Sequence, residues 1–157
     1  MSRILVTGGA GFIGSCVVRN WLSDLDNKIL TYDTLTCAGN LDSLETVLPS
    51  QRHELIVGNV TDSACIREQI NKFLPNSIVH LAAESHVDRS IDGPRSFVET
   101  NVQGTMTLLQ EATEYWSSLD SNQKDSFRFL HVSTDEVYGS LGENGLFNED
   151  KIGRAHV

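Results

Sequence analysis

TGGAGFIG, residues 7–14, follows the apolar run RILVT (3–7) and opens a segment carrying Ile13, Val17 and the Trp21/Leu22 pair at helical spacing. Strand, glycine turn and helix in that order decide the fold class. Gly9, Gly11 and Gly14 satisfy G-x-G-x-x-G, while Gly8, Gly11 and Gly14 satisfy the related spacing of three and three. The glycines serve a tight turn, close backbone approach to a pyrophosphate, and packing of helix on strand. The helix N-terminus adds free N–H groups and partial positive charge. Asp33 closes the next apolar run, 19 positions after Gly14. A carboxylate there can accept both ribose hydroxyls of an adenosine and repels a 2′-phosphate, so the pattern favours NAD over NADP.

Working outward, short β-branched runs alternate with helical patterns. KILTY (28–32) reads as a second strand and LDSLETVL (41–48) as a short helix ended by Pro49. HELIVGNV (53–60) is a third strand, after which Thr61 or Asp62 can cap a helix whose face is Ile66, Ile70 and Phe73/Leu74 before Pro75. SIVHLAA (77–83) is a fourth strand. The longest helix follows Pro94, with Val98, Val102, Met106, Leu109 and Trp116 at helical spacing. SSLDSNQKDS (117–126) reads as a polar loop and FRFLHVS (127–133) as a fifth strand. This alternation predicts an α/β fold, a Rossmann-type doubly wound parallel sheet of order 3-2-1-4-5 with helices on both faces. Ligands of such sheets lie beyond the carboxyl ends of the strands, where the order reverses. LAAES (81–85) and STDE (133–136) then face the nicotinamide half, and Thr134, Asp135 and Glu136 surround whatever is oxidised there.

Composition excludes several classes. At 157 residues the chain makes one domain, and a formal charge of −9 argues against a sequence-independent nucleic-acid binder. Cys16, Cys37 and Cys65 have neither disulfide-framework nor metal-type spacing, so no metal is expected. No run approaches the ~18 apolar residues of a membrane span, and MSRILVTGGAG does not read as a signal peptide, so a cytoplasmic location is the default expectation. Ser85, His86 and Asp88 hold the inventory of a hydrolase triad, but triad members seldom come from one short loop. His80 and His131 lie inside strand patterns and read as core or sheet residues.

TGGAGFIG, YDTLTCAGNLDSL (32–44), HLAAESHVDRSI (80–91), FVETNVQGT (97–105) and STDEVYG (133–139) together resemble the extended short-chain dehydrogenase/reductase family. Within it they look most like the dTDP-glucose 4,6-dehydratases and their nucleotide-sugar relatives, over residues 1 to about 150. The resemblance implies NAD as cofactor and a nucleotide-sugar partner, dTDP-glucose first. A UDP- or CDP-sugar dehydratase or an epimerase is the alternative within the family; a non-catalytic NAD-binding module is the alternative outside it. Family members oxidise the sugar at C4, eliminate water across C5 and C6, and return the hydride to C6. By the same resemblance Phe12 and Ile13 sit beside the pyrophosphate, Asp33, Leu35 and Thr36 around the adenosine ribose, and Asn59 and Val60 at the adenine. Leu81, Ala82, Ala83, Ser85 and Thr100 line the rest of the NAD site, with Ser85 and Thr134 also touching the sugar. Asp135 would be the dehydration acid and Glu136 the base. Three positions depart from the family's habit: Thr34 stands for Lys, Cys37 for Tyr, and Asn59 for Asp.

The family's Tyr-x-x-x-Lys pair has no match: Tyr138 is followed four residues on by Gly142, and Lys151 is preceded four residues back by Phe147. The ending KIGRAHV (151–157) continues no element of the fold, and its last six residues are what a widely used sequencing adaptor encodes in one frame. The expectation is therefore an incomplete NAD-binding domain over 1–150, a non-native read-through tail over 151–157, and no substrate domain. Such a chain should not complete the cycle. The unpaired fifth strand should leave it aggregation-prone or a weak NAD binder, whereas the full-length parent is expected to be a homodimer.

Overall fold

The structure, a computed structural model, describes residues 2–36, 38–85, 91, 93–139 and 145–148. His86, Asp88 and the 151–157 ending lie outside the described residues. Five strands, β1 (Ser2–Thr7), β2 (Asn27–Asp33), β3 (His53–Val57), β4 (Ser77–His80) and β5 (Arg128–His131), form one sheet in the order β3-β2-β1-β4-β5. Every pairing is parallel, as expected for a doubly wound α/β sheet. The order reverses between β1 and β4.

Because successive strand residues point to opposite faces, the apolar runs divide between two cores. Ile4, Val6, Ile29 and Val79 face Val18 and Leu22 of helix α1 (Phe12–Leu22). Leu5, Leu30, Ile78 and Tyr32 face Ile66, Ile70 and Phe73 of α2 (Ser63–Phe73) and Leu108, Ala112 and Tyr115 of a longer helix. Asp62, not Thr61, caps α2 by accepting the Cys65 N–H at 3.0 Å. Leu74, with φ +52°, ends it in the left-handed conformation ahead of Pro75. LDSLETVL closes only a 3-10 turn, Leu41–Leu44.

Two further elements differ from the sequence reading. The polar stretch 117–126 is not a loop throughout: Ser121–Ser126 is a helix, here α5, because Asp120 accepts the Gln123 N–H while the Gln123 side chain accepts the Asp120 N–H. The long helix is composite. After α3 (Pro94–Phe97) it winds as a π-helix over Val98–Gly104 before becoming α4 (Thr105–Ser118). Its apolar stripe points away from the sheet, leaving Val98, Val102, Met106, Leu109 and Trp116 exposed. The buried face is more polar, with Thr107 and Glu111 beside Leu108, Ala112 and Tyr115.

Glu111 explains how that face is tolerated. Its carboxylate accepts the Ser63 hydroxyl at 2.6 Å and is gripped at both oxygens by Arg67, at 2.8 and 2.9 Å. The guanidinium is the main cause holding the Glu111 carboxyl below the usual carboxylate range. A depressed native pKa means the contribution is present above the unfolded pKa and fades as pH falls through the native one. Glu111→Gln should therefore lower stability by about 1–2 kcal/mol at pH 7, with the gap to the unsubstituted protein closing below about pH 4. Thermal melts across that range check this; a gap that stays constant with pH contradicts it.

Candidate functional site

At the carboxyl end of β1 the chain turns sharply back over the sheet. Gly8 adopts φ +70°, and a Cβ there would sit 2.6 Å from the Ala82 nitrogen. A Cβ on Gly14 would lie 2.1 Å from the Gly8 carbonyl oxygen, so the first turn of α1 rests directly on the loop. At Gly11 an added Cβ meets only that same oxygen, at 3.3 Å, and otherwise open space. Gly11 also serves as the N-cap of α1 without any side-chain cap, which leaves backbone donors of the first turn for a ligand.

Asp33 is 8% exposed and uses both carboxylate oxygens on backbone. Oδ2 accepts the Ala10 N–H at 2.9 Å and Oδ1 accepts the Leu35 N–H at 2.8 Å. Leu35 takes a positive φ of 52°, an arrangement that costs roughly 1–2 kcal/mol for a side chain with Cβ. Each carboxylate oxygen keeps a further lone pair, and Asp33 faces a cleft of about 500 Å³.

The cleft lies at the carboxyl ends of the strands. Of the residues expected around a dinucleotide, Gly8, Gly11, Asp33, Thr36, Asn59, Val60, Leu81, Ala82, Ala83 and Thr100 line it. The others stand elsewhere. Phe12 and Ile13 are exposed at the start of α1, Gly14 is buried beneath the loop, Leu35 packs against the α1-side core, and Ser85 is exposed beyond the cleft wall. Val60 reaches the cleft while its side chain is in the core on the α2 side.

The register pairs His80 with His131, and the Val132 N–H bonds the His80 carbonyl at 3.0 Å. LAAES and STDE therefore leave the sheet side by side. Thr134 is exposed, and Asp135 and Glu136 begin a 3-10 turn, Asp135–Tyr138; their side chains lie outside the described part.

Sequence reading missed several lining residues. Ser96, Glu99 and Gln103 reach the cleft from α3 and the π-helical stretch, whose five-residue hydrogen-bond spacing a 3.6 periodicity does not reveal. The Asn101 amide brackets the Glu84 backbone, accepting its N–H at 2.8 Å and donating to its carbonyl at 2.9 Å. His80, 1% exposed, links β1 to α4 through Thr7 at 2.7 Å and Thr105 at 2.9 Å. Burial, with the neighbouring His131 ring, pushes its pKa down to about 4, so it is neutral near pH 7 and structural, as its strand position implied.

The model of the GDP-mannose 4,6 dehydratase family matches residues 5–155. The chain belongs to that family. It is 53% identical over 147 residues to a probable dTDP-glucose 4,6-dehydratase of Sinorhizobium fredii, covering 94% of this chain and 42% of that one. The solved dTDP-glucose 4,6-dehydratase of Streptomyces venezuelae, with NAD bound, matches with a TM-score of 0.81 at 41% identity, over 96% of this chain and 45% of that one. That of Bacillus anthracis, in complex with NAD, matches with a TM-score of 0.80 at 37% identity, over 96% and 43%. The chain spans about two fifths of the length of the curated relatives it matches.

The loop geometry separates two glycines. Gly14→Ala should cost about 1–3 kcal/mol or more through overpacking, whereas Gly11→Ala should melt within about 0.5 kcal/mol of the unsubstituted protein. Paired thermal melts decide this, and equal losses for both would contradict the packing described.

Proposed function

We propose that the cleft binds NAD and that the protein dehydrates a nucleotide-activated glucose, dTDP-glucose first, to the 4-keto-6-deoxy sugar. The observation that carries the reading is Asp33, a buried carboxylate anchored on both sides by backbone yet turned to a cleft floored by a glycine loop. The residues fit the cofactor. The space at Gly11 admits a pyrophosphate, the uncapped α1 supplies donors to it, and the spare lone pairs of Asp33 suit ribose hydroxyls. When bound, NAD would take a hydride from sugar C4 and give it back at C6.

The chain's own groups do the rest. Leu81, Ala82 and Ala83 wall the cleft and exclude water, while Ser85 and Thr134 orient the sugar hydroxyls. Once C4 is a ketone the C5 proton is acidified, so the Glu136 carboxylate suffices to remove it. Asp135, protonated, delivers a proton to the departing C6 hydroxyl. Adjacent carboxyls in one desolvated site do not both ionise readily, which keeps one as acid beside one as base. Phe12, Ile13, Gly14, Leu35, Thr36 and Thr100 complete the NAD site in this reading, through backbone or by holding the loop.

Residues 1–150 would then be the larger part of an NAD-binding domain, incomplete without further chain. The substrate's nucleotide and the Tyr-x-x-x-Lys pair would be held by further chain, in keeping with the relatives' greater length. Turnover is expected of a chain containing that pair, and only weak dinucleotide binding of these 157 residues. The exposed stripe Val98, Val102, Met106, Leu109 and Trp116 is suited to a homodimer contact. No helix among the described residues is long and apolar enough to cross a membrane, and a cytoplasmic site of action is the accompanying proposal.

In a chain that carries the tyrosine–lysine pair, Glu136→Gln should cut conversion of dTDP-glucose by about 10²–10⁴ while NAD affinity stays within about twofold. Product analysis with calorimetry checks both; undiminished conversion would sink the assignment.

A further inference from the structure

We infer that Asn59 reads the base at the adenosine end of the cleft as a hydrogen-bond donor, so the site selects a purine edge that presents an acceptor and does not depend on an amino group. This deepens the dinucleotide reading and rests on it. The Gly58 N–H bonds the Asp33 carbonyl at 2.9 Å, so Asn59 lines the cleft on the side of the proposed adenosine ribose and is held tightly there. Its carbonyl accepts the Tyr32 hydroxyl at 3.0 Å and the Asp62 N–H at 2.9 Å. Its side-chain oxygen accepts both the Thr61 N–H and the Thr61 hydroxyl, each at 3.0 Å.

A backbone N–H can only donate, so the amide group that meets Thr61 is the oxygen, and its orientation is set by chemistry. The remaining polar group, the Nδ2 amide, has no hydrogen-bond partner among the described residues. It offers two N–H donors and no lone pair. An aspartate here would form the same turn with one carboxylate oxygen and present the other as an acceptor. The two residues are nearly the same size, so at this position polarity is the chief difference between them. A carboxylate would pair with an exocyclic amino group; the Asn59 amide meets that group donor to donor and instead suits N7 or a 6-carbonyl, acceptors that a hypoxanthine base also offers. Turning the amide over would strand the Thr61 N–H, which opposes adaptation.

The test compares NAD with nicotinamide hypoxanthine dinucleotide, in which a carbonyl acceptor replaces the purine amino donor, ring N1 gains a proton and N7 is unchanged. Calorimetry would give the two dissociation constants for the protein and for Asn59→Asp. The ratio cancels any general weakness of binding. The unsubstituted protein should bind the hypoxanthine dinucleotide at least as tightly as NAD, and Asn59→Asp should move the ratio toward NAD by about tenfold or more. A preference for NAD of about tenfold or more in the unsubstituted protein overturns the inference even if the variant fails to fold; so does a ratio that the substitution leaves unchanged. Failure of both dinucleotides to bind would instead overturn the dinucleotide site itself.

Discussion

The carboxylate of Asp33 ties together the three segments on which the cleft depends. It ends β2, holds the glycine loop through the Ala10 N–H, and holds the following turn through the Leu35 N–H. The loop has two further backbone ties, the Gly8 N–H to the Tyr32 carbonyl at 2.9 Å and the Asn40 N–H to the Ala10 carbonyl at 3.0 Å. Together with the Asp33 clamp they set the loop close enough to β4 that Gly8 packs on Ala82, and close enough to α1 that Gly14 packs on Gly8. One group thus serves the fold and, in the reading advanced above, the ribose. Any substitution at Asp33 will mix the two effects, which is why Gly11 and Asn59 are cleaner probes.

The sheet was legible because a buried parallel strand leaves a strong local signal. RILVT, KILTY and SIVH are apolar on both faces, and each face has its own core. The strand order is that of a doubly wound sheet, the class to which the alternating strands and helices and the glycine turn after β1 pointed. The long helix was legible as a helix, but its orientation was not. The spacing of its apolar positions marked a helix without saying which side is buried, and the buried side carries Glu111, satisfied by Arg67 and Ser63 forty-odd residues earlier. A pattern of hydrophobicity cannot register a partner that far away. In the same way α5 was hidden by its polarity, although Asp120 and Gln123 do spell its capping box.

At the site, Gly8, Gly11 and Asp33 could be read from spacing and chemistry, while Asn59, Val60, Leu81 to Ala83 and Thr100 came by resemblance, and all of these line one cleft. What escaped was geometry without a motif. The π-helical stretch shifts Glu99 and Gln103 onto the cleft, and the donor character of Asn59 depends on what its oxygen does with Thr61. The residue letter at 59 marked a departure from the family's aspartate, and only the turn showed what the departure changes.

Amide chemical shifts followed by NMR while NAD is titrated into the protein test the central claim most directly. The account predicts that the largest changes fall on Gly8, Ala10, Gly11 and Leu35, the amides of the loop and of the Asp33 clamp. Changes concentrated instead on Met106, Leu109 and Thr113, along the outward face of α4, would contradict it.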